Sequence, residues 1–233
     1  MSLTLPATRY NEGYFGKRFP PSRFMIDDRW AHATWVTGNN YKGSGYYGAY
    51  PPGYVKRVYS MFPDSQRILH LFSGSLTHDD VFKPFSSVSR LDLNPQYQPD
   101  YVRDAENTEL ADNQFNLIMA DPAYSKEDAE HYGRPLCNRN KVLAECHRML
   151  TVGGYLVWLD QSQPMYSKLN WNWVGVASVF RSTNHRVRAA FFFQRTSHTS
   201  ELSQPELVSQ PELMLHSEEA NRTEAFQRRN LLS

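Results

Sequence analysis

Between residues 67 and 160 the chain alternates short apolar runs with polar or helix-patterned stretches, and this alternation constrains the fold more than any other feature. RILHLF (67–72), VSRLDL (88–93), YVRDA (101–105), FNLIMA (115–120) and YLVWLD (155–160) each have the length and composition of a strand. NRNKVLAECHRML (138–150) places Val142, Leu143, Cys146, Met149 and Leu150 at three- and four-residue steps, which predicts a helix with one apolar face. Gly153 and Gly154 are expected to end it. Strands joined by helices imply a parallel sheet covered on both faces, a doubly wound α/β fold. WVGVASVF (173–180) and RVRAAFFFQ (186–194) flank RSTNH, so a terminal antiparallel hairpin is expected at the edge of the sheet.

The flanks read differently. Residues 1–50 are rich in Tyr, Gly, Asn and Arg without a clear period, and are expected to form an irregular extension available for target contacts. Pro51 and Pro52 then open a helix, with apolar residues at 54, 55, 58, 59, 61 and 62 on one face. The main domain is therefore expected over 51–196. From 197 to 233, the near repeats LSQPEL and VSQPEL read as a flexible linker. EEANRTEAFQRRNLL, acidic early and basic late, is compatible with a final helix.

Composition narrows the setting. A formal net charge of +1 gives no global basic field. Two cysteines, Cys137 and Cys146, make neither a disulfide framework nor a CxxC metal pattern. The start of the chain lacks a signal-peptide core, and no apolar run approaches the roughly 20 residues that span a bilayer. The expectation is a reduced, cytoplasmic protein with no membrane partner.

Ligands of open α/β sheets bind at the carboxyl ends of the strands, so the residues that follow each strand are the candidates. Phe72, Ser73 and Gly74 follow the first, where glycine permits a tight turn and a close backbone approach. Asp92 follows the second, eighteen positions beyond Gly74, where a carboxylate can accept from both ribose hydroxyls. Asp104 follows the third and can accept from an adenine amino group or cap a turn.

The fourth run ends in Asp121, Pro122, Ala123 and Tyr124. An aromatic amine is a poor nucleophile because its lone pair is delocalised into the ring. A carboxylate and a carbonyl that each accept one amino hydrogen localise that pair and aim it. Asp121 can be the carboxylate and the Pro122 carbonyl the second acceptor, with proline stiffening the turn. Tyr124 can stack on an extruded base, worth about 1–3 kcal/mol per base in single-strand binding. The loop beyond, 125–141, carries Lys126, Arg134, Arg139 and Lys141 with His131 and Tyr132 between, which suits phosphate contacts and stacking. Glu127, Asp128 and Glu130 offset that charge, so a solvated loop is the alternative. Arg181, Arg186 and Arg188 of the hairpin are ambiguous in the same way.

In this order, glycine turn, acid and DPAY, the chain resembles the S-adenosylmethionine-dependent amino-methyltransferases that act on adenine N6 or cytosine N4. FSGS resembles their FxGxG motif without its last glycine, and DPAY resembles [DNS]PP[YF] with Ala123 at the second proline. The resemblance covers about residues 50–195. It implies a seven-stranded Rossmann-like sheet with a reversed last strand and S-adenosylmethionine as cofactor, held by Phe72, Ser73, Gly74, Asp92, Asp104 and Pro52. It also implies methyl transfer to adenine N6 in DNA, since aspartate-led motifs favour adenine.

Other readings stay open: RNA or cytosine N4 as substrate, or an inactive module that binds cofactor and nucleic acid. No GxGxxG follows the first strand, which disfavours a nicotinamide enzyme. Neither cysteine follows a proline, which disfavours covalent attack on a ring carbon. Only 47 positions separate Gly74 from Asp121, too few for a target-recognition domain. Target reading is thus expected from the N-terminal 50 residues, from the 125–141 loop, from a second copy of the chain or from a specificity partner.

Overall fold

Successive side chains of a strand face opposite sides of its sheet, and FNLIMA shows both sides to be buried. Leu117 and Met119 enter one core, Ile118 and Ala120 the other, and none is more than 1% exposed. A computed structural model describes residues 23–26, 30–38, 49–77, 87–181 and 187–197. Its strands are β1 (Arg23–Ile26), β2 (Ala31–Thr37), β3 (Arg67–Leu71), β4 (Ser87–Asp92), β5 (Tyr101–Val102), β6 (Phe115–Ala120), β7 (Leu150–Asp160), β8 (Trp171–Arg181) and β9 (Val187–Arg195). The helices are α1 (Tyr54–Met61), α2 (Lys126–His131) and α3 (Arg139–Met149). All nine strands form one sheet in the order β1-β2-β8-β9-β7-β6-β3-β4-β5.

From β8 to β5 this is the expected seven-stranded doubly wound sheet, and only β9 runs against the others. One face carries α1, whose Tyr54, Val55, Val58, Tyr59 and Met61 pack with Ile68, Leu117 and Val157. The other carries α3, whose Val142, Leu143, Cys146 and Met149 pack with Leu69, Ile118 and Trp158. The three- and four-residue spacing read from the sequence therefore names the buried face of both helices.

Three expectations need correction. Residues 1–50 are not irregular throughout, because β2 pairs in parallel with β8 and β1 pairs antiparallel with β2. The cause lies in AHATWVT: Ala31, Ala33, Trp35 and Thr37 alternate inward, and Trp35 lies edge-on to Tyr54 at 6.0 Å. Two alanines are too weakly apolar for that period to stand out in the sequence. Gly153 and Gly154 do not end α3, which stops at Leu150 in extended conformation. Instead Gly153, at φ 77, bends β7 where its pairing with β6 shifts register. The third strand covers only Tyr101–Val102, because Asp104 already turns the chain by bridging to Asn107. The linker and final helix expected beyond residue 197, residues 182–186 of the hairpin turn and most of 1–50 lie outside the described residues.

Candidate active site

The parallel strands deliver their carboxyl ends to one edge. β3 is the switch point, with β4 on one side and β6 on the other. The reversed β9 begins at that same edge, since Ala189 sits opposite Asp160, the last residue of β7. Along this edge stand Gly74, Asp92, Asp121, Asp160, Arg188 and Arg181, each at or just beyond a strand end.

The turn after β3 is held in an uncommon conformation. Phe72 has φ 58 and Gly74 φ 50, the left-handed region that only glycine enters without strain. The Gly74 amide donates to Asp92 Oδ2 at 2.8 Å, and Asp92 Oδ1 accepts the Asn94 amide at 2.8 Å. Asp92 thus fixes the turn it was expected to complement, and its carboxylate retains acceptor capacity for a ribose. The Ser73 amide donates to the Leu91 carbonyl at 3.1 Å, while its hydroxyl, on a residue 6% exposed, has no partner. Behind the cradle, buried Arg90 donates to the carbonyls of Leu76 and Gln98, each at 2.8 Å, and pairs with Asp100 at 3.4 Å. Asp104 Oδ1 accepts the Glu106 amide at 2.8 Å, so this exposed residue caps a turn. Pro52 lies in the turn that leads into α1, where the Tyr54 amide donates to the Pro51 carbonyl at 2.9 Å.

At the end of β6, Asp121 is half-buried and accepts a short hydrogen bond from the Tyr124 hydroxyl. Burial pushes the Asp121 carboxyl up to about 6; nearby Arg188, the Tyr124 bond and Arg181 oppose that rise, and Asp160 adds to it. Pro122 is buried and Ala123 half-buried. The Arg188 guanidinium lies over the Tyr124 ring, 4.9 Å from its centroid. Tyr50 stacks on Tyr54 at 5.3 Å, and both phenols are close enough for the Asp121 charge to raise them, after the larger effect of burial. Below this aromatic wall, buried His70 bonds the Tyr59 hydroxyl through Nε2 at 2.7 Å and faces the Tyr50 hydroxyl through Nδ1 at 3.5 Å. Burial, with Arg90 nearby, holds His70 down at about 3, so it is neutral at physiological pH.

The basic loop splits into separate environments. Ser125 accepts the Asp128 amide and caps α2, so a helix occupies 126–131 where a loop was expected. Lys126 and Arg134 are exposed, and Lys141 pairs with Glu106 at 3.5 Å. Arg139, expected at a phosphate, turns inward. Its Nε donates to Asp160 Oδ2 at 3.0 Å and its Nη2 to the Tyr124 carbonyl at 3.2 Å. Fully buried Asp160 also accepts from Trp158 Nε1 at 3.2 Å and from the Gln161 and Ser162 amides at 2.7 and 3.3 Å.

Asp160 and the Tyr50–Tyr54 wall escaped sequence reasoning. Asp160 carried the same signal as Asp92 and Asp121, an acid closing an apolar strand; Tyr50 looked like part of a glycine-rich loop. Burial raises Cys137 to about 11 and Cys146 well above its ordinary value, so neither is a ready thiolate. Among the described residues no cluster of His, Cys, Asp or Glu suits a metal, and no helix is long and apolar enough to cross a membrane.

No protein-family model and no curated protein matches the chain. Among solved structures it is similar to TrmN from Thermus thermophilus, at 14% identity over 56% of this chain and 44% of that one, with a TM-score of 0.41. It is also similar to the N-methyltransferase NodS from Bradyrhizobium japonicum WM9 in complex with S-adenosyl-L-homocysteine, at 11% identity over 56% and 78% of the two chains, with a TM-score of 0.42. A third is the 1,6-didemethyltoxoflavin-N1-methyltransferase of Burkholderia thailandensis, at 13% identity over 55% and 70%, with a TM-score of 0.40. The chain spans less than half the length of TrmN. The fold assignment rests on the strand order itself.

Proposed function

We propose that the chain is an S-adenosylmethionine-dependent methyltransferase acting on an exocyclic amino group of a nucleobase, adenine N6 in DNA foremost. The observation that carries this reading is Asp121. It is a carboxylate at the carboxyl end of the central strand β6, next to the cradle formed by Phe72, Ser73, Gly74 and Asp92. The unpartnered Ser73 hydroxyl and the remaining lone pairs of Asp92 suit the polar ribose and amino-acid ends of such a cofactor. When bound, S-adenosylmethionine supplies an electrophilic methyl group on sulfonium sulfur.

The protein's part is to prepare the amine. Asp121 accepts one amino hydrogen and the Pro122 carbonyl the other, which localises the nitrogen lone pair. An Asp121 carboxyl titrating at about 6 is mostly ionised at neutral pH, yet basic enough to take the proton the nitrogen must shed. Tyr124 engages only Oδ1, which leaves acceptor capacity on Oδ2 for the substrate amine, and the Tyr124 ring stands beside it as a stacking platform. Tyr50 and Tyr54 stack on each other close enough to feel the Asp121 charge.

Incubation with labelled S-adenosylmethionine and unmethylated DNA, followed by nucleoside mass spectrometry, tests the proposal. N6-methyladenine is the expected product. Label in N4-methylcytosine, or only in RNA, would move the substrate while keeping the chemistry. Cofactor binding with no methylated nucleoside would leave a binding module.

A further inference from the structure

The carboxyl edge of the sheet is divided by charge. Asp92 and the Gly74 turn stand on β4 and β3, on one side of Asp121. On the other side, across β7, Arg188 begins β9 and Arg181 ends β8, and both charges act on Asp121. If the cofactor takes the Gly74 side, the body of an acceptor whose amine meets Asp121 must extend towards the arginines. At about 4.8 Å per strand, β9 lies roughly 10 Å from β6. A nucleotide spans a comparable distance from base amine to phosphate.

Arg188 is not settled where it stands. Its guanidinium rests on the Tyr124 ring at 4.9 Å, while one buried terminal nitrogen, Nη1, has no hydrogen-bond partner. A buried donor without an acceptor is costly, and a guanidinium fork matches two phosphate oxygens better than any neutral group. The same cation covers one face of the ring proposed to stack on the base.

We propose that Arg188 is a specificity residue that leaves Tyr124 to bind a phosphate of the acceptor strand, so that the site accepts phosphodiester-linked nucleotides and rejects free bases and nucleosides. This rests on the nucleobase reading of Asp121. It adds a recognition step: the phosphate draws Arg188 off the ring as the base arrives.

The test is fluorescence anisotropy with a labelled adenine-containing single-stranded 12-mer, as DNA and as RNA, over a range of salt concentrations, with S-adenosylhomocysteine present. In Arg188→Gln the slope of log affinity against log salt is expected to become shallower by about 0.7, the loss of one single-strand phosphate contact. Binding of S-adenosylhomocysteine should stay within twofold of wild type. Arg188→Lys keeps the charge and should keep the slope while losing affinity with the fork. The DNA and RNA arms identify which backbone Arg188 meets, and a change with either supports the proposal. An unchanged slope and affinity in Arg188→Gln overturns it, as does wild-type binding of an uncharged methylphosphonate 12-mer equal to that of the phosphodiester strand. Arg188-dependent binding without any methylated nucleoside supports the phosphate contact and sinks the functional reading instead.

Discussion

Arg139 joins the end of β7 to the DPAY turn: its guanidinium donates to the Asp160 carboxylate at 3.0 Å and to the Tyr124 carbonyl at 3.2 Å. Removing the cation leaves Asp160, 0% exposed, with dipolar partners only. Arg139→Ala should therefore cost about 3 kcal/mol, the usual penalty for stranding one member of a buried pair. Urea unfolding measures this. A loss under about 0.5 kcal/mol in the single variant would place the pair with surface ion pairs, which contribute little.

Asp121 makes activity and stability respond to pH in opposite directions. Its carboxyl titrates at about 6 in the fold, against an ordinary value of about 3.9. Only the ionised form accepts an amino hydrogen, so kcat/KM for the methyl acceptor should rise with pH through about 6 and level off above it. Asp121→Asn should be much slower and should lack that limb. A raised carboxyl favours the protonated fold, so its stabilising contribution is full below about pH 4 and is lost as pH rises through about 6. Asp121→Asn should consequently melt higher than wild type at pH 7.5, and the difference should close towards pH 4. An equal difference at both pH values would show that Asp121 carries no such shift.

Much of this arrangement is written locally in the sequence, and the remainder depends on distant contacts. The apolar runs of β3, β4, β6 and β7 are legible because both faces of a central strand are buried. The α3 spacing is legible because the helix buries one side. Asp92 and Asp121 stand out because an acid that ends an apolar strand is conspicuous. By contrast, the inward turn of Arg139 depends on Asp160, twenty-one positions away, and no local pattern separates a cation that meets phosphate from one that closes the protein's own loop. Tyr50 gains its place only when it stacks on Tyr54 and faces His70. Likewise β2 is a strand because β8 is there to receive it.

Asp92 should act on the cofactor rather than on the chemistry. Its two oxygens hold the amides of Gly74 and Asn94, so Asp92→Ala removes both the scaffold of the turn and the acceptor for a ribose. Calorimetry with S-adenosylhomocysteine should show weaker binding by roughly 1.5–3 kcal/mol, the range for hydrogen bonds to a charged group. Asp92→Asn, which keeps one acceptor oxygen, should fall between the two. An unaltered dissociation constant in Asp92→Ala would remove the cradle from the cofactor site.

Tyr124 has two parts with separable effects. Its hydroxyl donates to Asp121 and helps hold that carboxyl down, while its ring lies under Arg188. Tyr124→Phe keeps the ring and removes the donor. The pH limb of kcat/KM should therefore shift above 6, and KM well above that limb should change little. Tyr124→Ala loses the platform as well, and KM for the strand should rise by the roughly 1–3 kcal/mol that base stacking contributes, about 5- to 150-fold. S-adenosylhomocysteine should bind either variant like wild type, because Gly74 and Asp92 are untouched. If Tyr124→Phe and Tyr124→Ala weaken the strand equally, the hydroxyl rather than the ring meets the substrate, and the stacking role is lost.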